Sequence, residues 1–192
     1  MTEVRLATAA DIPAMRAIYR PYVEETTVSF EYETPSEEQF AARIGAIMAK
    51  YPVFVCTEGD TVCGYAYAAP AFERRAYAWC ADLSVYVERD RRGHGMGKKL
   101  ERAVSMACRA LGYRKLYALV TEENAASVAF HEAAGYRTVA CFPEQGYKMG
   151  RWLGVLWLEK ELCGAACAEN FPREIGELPA ESLQTILTEA NA

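Results

Sequence analysis

The chain has 192 residues, a net charge of −5 and 52% hydrophobic residues. This length suits one domain with a modest addition, which can bury a core without disulfides or metals. Acidic residues concentrate at the end: residues 160–192 hold six acids and two bases, so residues 1–159 carry a net charge of −1. A near-neutral body lacks the broad basic face of nucleic-acid-binding or anionic-membrane proteins, so we expect neither partner.

The cysteines and the first residues bear on location. Seven cysteines form an odd set without a CxxC pair, and several lie in apolar runs, where free thiols behave as small hydrophobic groups. The beginning of the chain is charged from its third residue and shows no apolar signal segment. No stretch approaches the roughly 18 apolar residues of a membrane span. These features predict a cytoplasmic protein.

Periods of two and of 3.6 residues mix along the chain, which is typical of an α/β fold. The pattern predicts, in order, a strand at 4–7, helices at 11–23 and 35–50, strands at 54–58, 62–69 and 76–87, a helix at 95–111, a strand at 116–121, a helix at 125–134, and strands at 136–142 and 155–162. Asp11 is expected to cap the first helix, Gly112 to end the longest, and Gly59-Asp60 to form a tight hairpin turn.

The organisation predicts a domain at 1–162 followed by an extension. From about residue 163 the periodicity weakens into an acidic, proline-containing segment, 163–192, in which 180–190 suits one peripheral helix. We expect this extension to pack on the core or to mediate association.

The sharpest motif is a basic, glycine-rich turn between a predicted strand and a predicted helix, Arg91-Arg92-Gly93-His94-Gly95-Met96-Gly97-Lys98-Lys99. Glycines let backbone N–H groups approach an anion, and a helix N-terminus adds a positive dipole end, so the turn predicts a phosphate site. The alternative is a basic turn with flexible glycines. A dinucleotide fingerprint fits worse, because it needs Gly-x-Gly-x-x-Gly and an acid about 20 positions on, where this chain has Tyr117.

These residues resemble a known family. Arg92-x-x-Gly95-x-Gly97 after a strand is similar to the pyrophosphate motif of the GNAT superfamily of acyl-CoA-dependent N-acetyltransferases, whose element order residues 2–160 follow. Six further motifs resemble its phosphinothricin / methionine sulfoximine (sulfone) N-acetyltransferase branch: Thr27-Val28-Ser29-Phe30-Glu31, Gly64-Tyr65-Ala66-Tyr67, Arg74-x-Ala76-Tyr77, Ser84-Val85-Tyr86-Val87, His131-Glu132-x-x-Gly135-Tyr136 and Gly146-Tyr147-Lys148-x-Gly150-Arg151-Trp152. The resemblance implies the GNAT α/β fold, with a mixed central sheet splayed at the cofactor site and flanked by helices.

The resemblance also implies acetyl-CoA as cosubstrate, no metal, and a homodimer. The pyrophosphate would lie on the 92–98 turn and the pantetheine arm along strand residues 85–87. The cofactor residues so implied are Val85, Tyr86, Val87, Arg92, Gly93, His94, Gly95, Met96, Gly97, Lys98, Asn124 and Ser127, of which His94 is expected to be incidental. Asn124 equally suits a helix N-cap, and the two roles are compatible.

Acetyl transfer from a thioester to an amine needs a neutral amine, a stabilised oxyanion and a proton for the departing thiolate. Asp82 lies on the predicted 76–87 strand, opposite its apolar face, and is the candidate base; the alternative is a solvent-facing strand residue. The branch has Glu here, so the shorter Asp82 favours a water relay or a positioning role. His131 matches the branch and is the candidate acid or partner of Asp82; the alternative is a hydrogen-bonded helix histidine.

For the carboxylate or phosphinate of a substrate we predict Arg74 and Arg75, because a guanidinium fork matches paired oxygens. The alternative for both is surface ion pairing. Phe30, Tyr77 and Trp79 are candidate apolar walls of the substrate site, although aromatic strand residues, Trp79 above all, also occur in cores.

Three further positions have weaker implications. Lys148 and Arg151 are weaker candidates for the same anion. Gly154 stands where the branch usually carries Asp, a departure expected to alter the pocket wall or a subunit contact.

The sequence thus predicts an acetyl-CoA-dependent N-acetyltransferase for the α-amine of a small amino acid or analogue, of the phosphinothricin or methionine sulfoximine (sulfone) type, with a role in detoxifying such compounds. One alternative is a GNAT enzyme for another amine, such as a polyamine or aminoglycoside, although cationic substrates usually meet an acidic cleft. The other alternative is an acyl-CoA-binding module without turnover, in which Asp82 and His131 are structural.

Overall fold

The computed structural model describes residues 2–163 and 170–192. Within these ranges the elements are β1 (Thr2–Leu6), α1 (Ile12–Glu25), α2 (Glu37–Met48), β2 (Val53–Glu58), β3 (Thr61–Pro70), β4 (Cys80–Val87), α3 (Met96–Leu111), β5 (Lys115–Thr121), α4 (Ala125–Ala133), β6 (Arg137–Lys148), β7 (Arg151–Glu161) and α5 (Ala180–Asn191). Residues 164–169 of the predicted extension lie outside the described residues.

The strands form one mixed sheet in the order β1-β2-β3-β4-β5-β7-β6. Every neighbouring pair is antiparallel except β4 and β5, which are parallel. That parallel pairing covers only Cys80 to Asp82 on β4, whereas β3 pairs with β4 as far as Val87. The sheet therefore opens between β4 and β5 beyond Asp82, as the resemblance implied.

Two apolar clusters cover the two faces of the sheet. One joins α3 and α5 to the sheet, with members such as Phe54, Leu100, Val104, Leu116 and Leu158. The other joins α1 and α2 to β2 and β3, with members such as Met15, Val23, Phe40, Ile44 and Tyr65. Amphipathic helices on both faces bury the apolar side chains of the strands between them. Strand β4 lies in the middle of the strand order and is therefore a central strand.

The strand predicted at 76–87 begins only at Cys80, and Arg75–Tyr77 form a 3-10 turn. The aromatic alternation that suggested a longer strand has another cause. Trp79 stacks on Phe171 with ring centroids 4.7 Å apart, and its indole N–H donates to the carbonyl of Asn170. Trp79 therefore packs against a segment distant in sequence, ahead of the strand.

The closing hairpin is longer than the predicted strands 136–142 and 155–162. Strands β6 and β7 extend to a two-residue turn at Met149 and Gly150, both with positive φ. The register shifts between Phe142 and Gly146, and Glu144 also has a positive φ of 51°. This bulge accommodates Pro143, which interrupts the alternating pattern and conceals the rest of the strand from sequence reasoning.

Asp11 occupies the N-cap position of α1, as expected, but its side chain makes no capping hydrogen bond to the helix. Its carboxylate instead accepts the backbone N–H of Thr8 and pairs with Arg5 at 2.7 Å. The hydrogen bond to Arg5 is the main reason that the pKa of Asp11 falls to about 2. The charge thus joins β1 to the start of the first helix.

Helix α5 lies against α3 and β1, with Ile186 and Ala190 buried. Its last residue, Asn191, accepts the N–H of Val4 at 2.7 Å and donates to the carbonyl of Val4 at 3.0 Å. One amide side chain therefore bonds both the N–H and the carbonyl of Val4. On an edge strand these two groups would otherwise need another partner.

Replacing Asn191 by Ala removes both bonds and leaves the backbone N–H and carbonyl of the buried Val4 without these partners. We expect Asn191→Ala to lower the free energy of unfolding by about 1–3 kcal/mol in urea titrations. Gln184→Ala, on the exposed face of the same helix, is the matched control and should change it by less than about 0.5 kcal/mol. Equal stability of the two variants would contradict this role.

Candidate functional site

A continuous cleft lies where β4 and β5 separate. Its inner part, of about 290 Å³, lies between β4 residues 82–86 and β5 residues 118–121, and we call it the inner chamber. Its outer part, of about 510 Å³, reaches the glycine-rich turn and is called the outer cleft. Both are lined by Val28, Val85, Ser127 and His131. The two spaces therefore meet at these four residues.

The turn at the outer cleft has the backbone of an anion site. Gly93 and Gly95 have φ values of 82° and 79°, which side-chain-bearing residues rarely adopt, and Gly95 caps the N-terminus of α3. The first amides of a helix lack intrahelical partners and face the positive dipole end. A Cβ on Gly97 would lie 3.3 Å from the Phe130 ring, so the turn packs tightly against α4. Phosphate oxygens fit this arrangement.

Most of the predicted cofactor residues come together here. Ten of the twelve line the outer cleft: Val85, Val87, Arg92, Gly93, Gly95, Met96, Gly97, Lys98, Asn124 and Ser127. Tyr86 lines the inner chamber, and its ring packs against those of Tyr19, Tyr22 and Tyr65. His94 lines neither space.

Tyr22 and Phe130 also line the outer cleft, although no sequence pattern indicates a role for either. The Tyr22 hydroxyl donates to the Val87 carbonyl at 2.5 Å and accepts the Val87 N–H at 3.2 Å. The Tyr22 ring also lies under the guanidinium of Arg92, 4.8 Å away. Tyr22 therefore holds both the end of β4 and an arginine of the turn, across 65 residues of sequence.

Asn124 caps α4, which is one of the two roles expected for it. Its side-chain oxygen accepts the backbone N–H of Ser127 at 3.2 Å. The same residue lines the outer cleft, so capping and ligand contact are compatible in this geometry.

Asp82 forms the last parallel pair, opposite Tyr117, and lines the inner chamber. Its Oδ1 is buried without a hydrogen-bond partner in the described part of the chain. Burial raises the pKa of this carboxyl to about 7, against a smaller opposing effect of the Leu83 N–H. Asp82 is thus not the solvent-facing residue of the alternative interpretation, and its pKa suits a base at neutral pH.

His131 is 6% exposed and packs between the rings of Phe130 and Tyr136. Its Nδ1 lies 2.8 Å from the carbonyl of Ser127, which only accepts, so Nδ1 carries the proton of the neutral ring. The buried Nε2 has no partner among the described residues. Burial lowers the pKa of His131, so Nε2 presents a lone pair and must gain a proton before it can donate one.

The predicted substrate residues are divided between the cleft and the surface. Phe30 lines the inner chamber, and its ring leaves no room for a side chain at Gly146. Arg74, Arg75 and Tyr77 are exposed and line neither part of the cleft. The guanidinium of Arg75 lies 4.4 Å from the Phe171 ring centroid, and the ring of Tyr77 packs against Phe72.

Lys148 and Arg151 are committed elsewhere, so they do not serve as free anion-binding groups. Lys148 is 4% exposed, and its ammonium donates to three backbone carbonyls. Arg151 donates through both terminal nitrogens to the carboxylate of Glu123. At Gly154 the carboxylate of Glu122 fills the space that a side chain would need.

Comparison with known proteins agrees with this geometry. Residues 4–157 match the family profile described as an acetyltransferase (GNAT) domain. The chain belongs to the GNAT acetyltransferase family. The GNAT profile thus spans the elements from β1 to most of β7, and therefore the whole cleft.

Three relatives illustrate the branch of the GNAT family that this chain resembles. It is 32% identical to phosphinothricin N-acetyltransferase of Streptomyces viridochromogenes, over 83% of this chain and 87% of the relative. It is 32% identical to an L-methionine sulfoximine/L-methionine sulfone acetyltransferase of Pseudomonas paraeruginosa, over 83% and 94%. A crystal structure of a phosphinothricin acetyltransferase from Sinorhizobium meliloti in complex with acetyl-CoA superposes with a TM-score of 0.84 at 33% identity, covering 88% and 95%.

Two features are absent from residues 2–163 and 170–192. No helix there is long and apolar enough to cross a bilayer. No group of three or more His, Cys, Asp or Glu side chains in these ranges is arranged to hold a metal ion.

The turn geometry gives a direct test. Gly95→Val places a β-branched residue at a φ of 79° and should turn the first amides of α3 away from the cleft, so calorimetry should detect no acetyl-CoA binding. Gly45→Val is the control, since no atom outside its own helix turn lies within 4 Å of a Cβ there. A folded Gly95→Val protein with native affinity would refute the placement.

Proposed function

We propose that the protein transfers an acetyl group from acetyl-CoA to the α-amine of a small amino acid or amino-acid analogue, of the phosphinothricin or methionine sulfoximine (sulfone) type. One observation carries the proposal: a single cleft joins a phosphate-type turn to a chamber that contains two buried, unpartnered groups, Asp82 Oδ1 and His131 Nε2. The names of the relatives point to the same class of reaction.

The cleft residues fit acetyl-CoA in three respects. The amides of the turn, with Arg92 and Lys98, suit the pyrophosphate. The β4 edge at Val85 has no strand beside it, since β5 has diverged, and suits the amides of the pantetheine arm. Val28, Ser127 and His131, where the two spaces meet, would surround the thioester end. Acetyl-CoA supplies the activated acyl group.

The two buried groups have complementary tasks in this reaction. Asp82 in its ionised form accepts a proton from the substrate ammonium, either directly or through a water, and so produces the neutral nucleophile. The amine nitrogen then bonds to the acyl carbon and the carbon–sulfur bond breaks. After the attack the nitrogen must lose a second proton; His131 accepts this proton through the Nε2 lone pair and passes it to the departing thiolate.

The lining of the chamber favours an amino acid over a polycation. Asp82 is the one acidic side chain among the described residues that line either part of the cleft. A polyamine or aminoglycoside needs several acids to compensate its charge, whereas a single ammonium needs one. The apolar residues Phe30, Leu119 and Val155 suit a small side chain.

The remaining parts of the proposal rest on the resemblance and on composition. They are a homodimer, a cytoplasmic location without nucleic-acid or membrane partners, and the division into a domain at 1–162 and an extension at 163–192. The exposed aromatic residues Tyr147 and Trp152 on the β6–β7 hairpin support association, because such surfaces are typical of interfaces.

The deciding experiment is a thiol-release screen. The protein is incubated with acetyl-CoA and single amino acids, methionine sulfone, methionine sulfoximine, phosphinothricin, spermidine or an aminoglycoside, and free CoA is measured. Turnover with the amino-acid set supports the proposal. Preference for spermidine or the aminoglycoside supports the second candidate amine class, and binding of acetyl-CoA without release for any amine supports a non-catalytic module.

Asp82 should set the pH dependence of the reaction. Its raised pKa means that the ionised, proton-accepting form increases through about pH 7, so kcat/KM should rise across that range. Asp82→Asn should lose this ionisation and lower kcat at pH 7 by about 10²–10⁴-fold. Higher pH should restore part of the loss, because free amine accumulates without a base.

Two further variants separate the possible roles. If Asp82 only orients a water, Asp82→Asn should cost little at any pH, and Asp82→Glu should equal the native rate. His131→Phe tests the second group and should slow thiolate departure most at high pH. Near-native kcat across pH 6–9 in the Asp82→Asn/His131→Phe double variant would contradict acid–base roles for both.

The arginine pair can be tested through the substrate. If Arg74 or Arg75 binds the substrate carboxylate, amidating that group should lower kcat/KM by at least about tenfold, as expected for one charge-assisted contact. Replacing the two arginines by Ala should remove the difference between acid and amide. Arg102→Ala is the control, since Arg102 pairs with Glu189 of α5 and lines neither part of the cleft. An unaltered preference in the double variant would exclude the pair.

A further inference from the structure

Residues 26–30, which follow α1, form one wall of both parts of the cleft. We call them the wall segment. Val28 lines the outer cleft and the inner chamber, while Ser29 and Phe30 line the inner chamber. The position of this segment therefore sets the width of the space between the turn and Asp82.

Side chains of the wall segment alternate between anchoring and lining. Thr27 and Ser29 are 8% and 7% exposed, whereas Val28 and Phe30 are 37% and 38% exposed. Thr27 donates to a carboxylate oxygen of Glu123, and the Ser29 hydroxyl lies 2.6 Å from that of Tyr19. The buried pair thus fastens the segment, and the exposed pair faces the cleft.

Lys148 is the strongest of these anchors. Its ammonium donates to the carbonyls of Val23, Thr26 and Ser29 at 2.7, 2.8 and 2.6 Å. An ammonium has three N–H donors, so all of them are used on backbone. Two of the three acceptors belong to the wall segment and the third to the last turn of α1.

The end of α1 explains why a buried cation is stable there. Helix α1 ends at Glu25, and the C-cap residue Thr26 is extended. The left-handed glycine that commonly satisfies terminal carbonyls is therefore missing at this end. The Thr26 hydroxyl donates to the Tyr22 carbonyl, and Lys148 donates to that of Val23. A cation at a helix C-terminus also interacts favourably with the helix dipole, which offsets part of the cost of desolvation.

Strand β6, which carries Lys148, also contacts the wall segment at Gly146. Gly146 lies two residues before Lys148 on β6, and the Phe30 ring occupies the space where a side chain at 146 would be. Strand β6 therefore bonds the backbone of the segment through Lys148 and supports its aromatic side chain at Gly146.

We propose that Lys148 is a positioning residue for the amine substrate, because it holds the wall segment, and with it Val28 and Phe30, at the width that the inner chamber needs. This inference rests on the proposed acetyl transfer to a small amine. Lys148 contacts neither substrate directly, since its three donors are occupied by the backbone.

The test compares Lys148→Met with the native full-length protein. Methionine keeps the length of the stem and removes all three donors. We expect kcat/KM for the amine to fall about 10- to 100-fold, as for small misplacements of a substrate-positioning group, mainly through a higher KM. The dissociation constant of acetyl-CoA, measured by calorimetry, should change less than about twofold. Amide hydrogen exchange should accelerate at residues 26–31 and stay native in α3.

The matched control is Arg109→Met. Arg109 lies in the last turn of α3, and its side chain donates to the carbonyl of Leu162. This variant should leave the amine KM native even where it lowers thermal stability. An equal rise in amine KM in both variants would mean that general destabilisation is responsible and would overturn the proposal. Native amine KM in Lys148→Met, or equal weakening of acetyl-CoA and amine, would also overturn it.

Should Lys148→Met fail to fold, Thr27→Val replaces it, since it removes only the hydroxyl bond to Glu123 and should raise the amine KM in the same direction by a smaller factor. An unchanged KM would then refute control of the chamber by the wall segment. If the native protein releases no CoA with any amine, the proposed function fails, while the exchange of residues 26–31 still decides whether Lys148 holds the segment.

Discussion

The fold depends on the point at which hydrogen bonding between β4 and β5 stops. The two parallel strands pair from Cys80 to Asp82 and then diverge, and both parts of the cleft lie within that divergence. Because β4 is a central strand with helices on both faces of the sheet, its edge beyond Asp82 lines the cleft rather than the outer rim of the sheet. Backbone groups along such an edge are suited to a ligand that binds as a strand. The last paired residue, Asp82, is therefore at the apex of the cleft.

Burial at that apex acts on the two candidate groups in opposite directions, with one result. It raises the pKa of Asp82 to about 7 and lowers that of His131, so burial favours the neutral form of each. An ammonium about 4 Å from a carboxylate, at an effective dielectric constant of about 20, gains roughly 4 kcal/mol by attraction to it, which opposes the effect of burial on Asp82. Under the proposed function, entry of the substrate ammonium therefore favours the ionised form of Asp82.

The sequence predicts features that depend on neighbouring residues better than features that depend on contacts between distant parts of the chain. The turn at Gly93 and Gly95, the Asn124 cap and most helix bounds depend on neighbours within a few residues, and the pattern predicted them. Tyr22 at Val87 and Lys148 at Val23 connect residues 65 and 125 positions apart, and no local periodicity encodes such a contact. The aromatic alternation at 76–79 predicts a strand wrongly, because it is the same whether a side chain faces a sheet or packs on the distant Phe171. The burial of Asp82 was likewise not predictable from the sequence, because it depends on the parallel pairing of β4 with β5, which ends at Asp82.

The two parts of the cleft tolerate amino-acid substitutions to different degrees. This explains why the chain keeps the family motif in the outer cleft and departs from the branch pattern at the inner chamber. The outer cleft depends on backbone angles at Gly93 and Gly95 and on free amides, which most substitutions would destroy, and here the chain keeps the pattern of the GNAT motif. The inner chamber depends on side-chain volume and charge, which change without breaking the fold. Both departures from the branch pattern concern this side: Asp82 shortens the carboxylate in the chamber, and Gly154 adjoins the chamber residue Val155 while Glu122 fills its empty volume. Under the proposed function, the chamber and its wall segment select among amines, whereas the turn binds the acyl carrier.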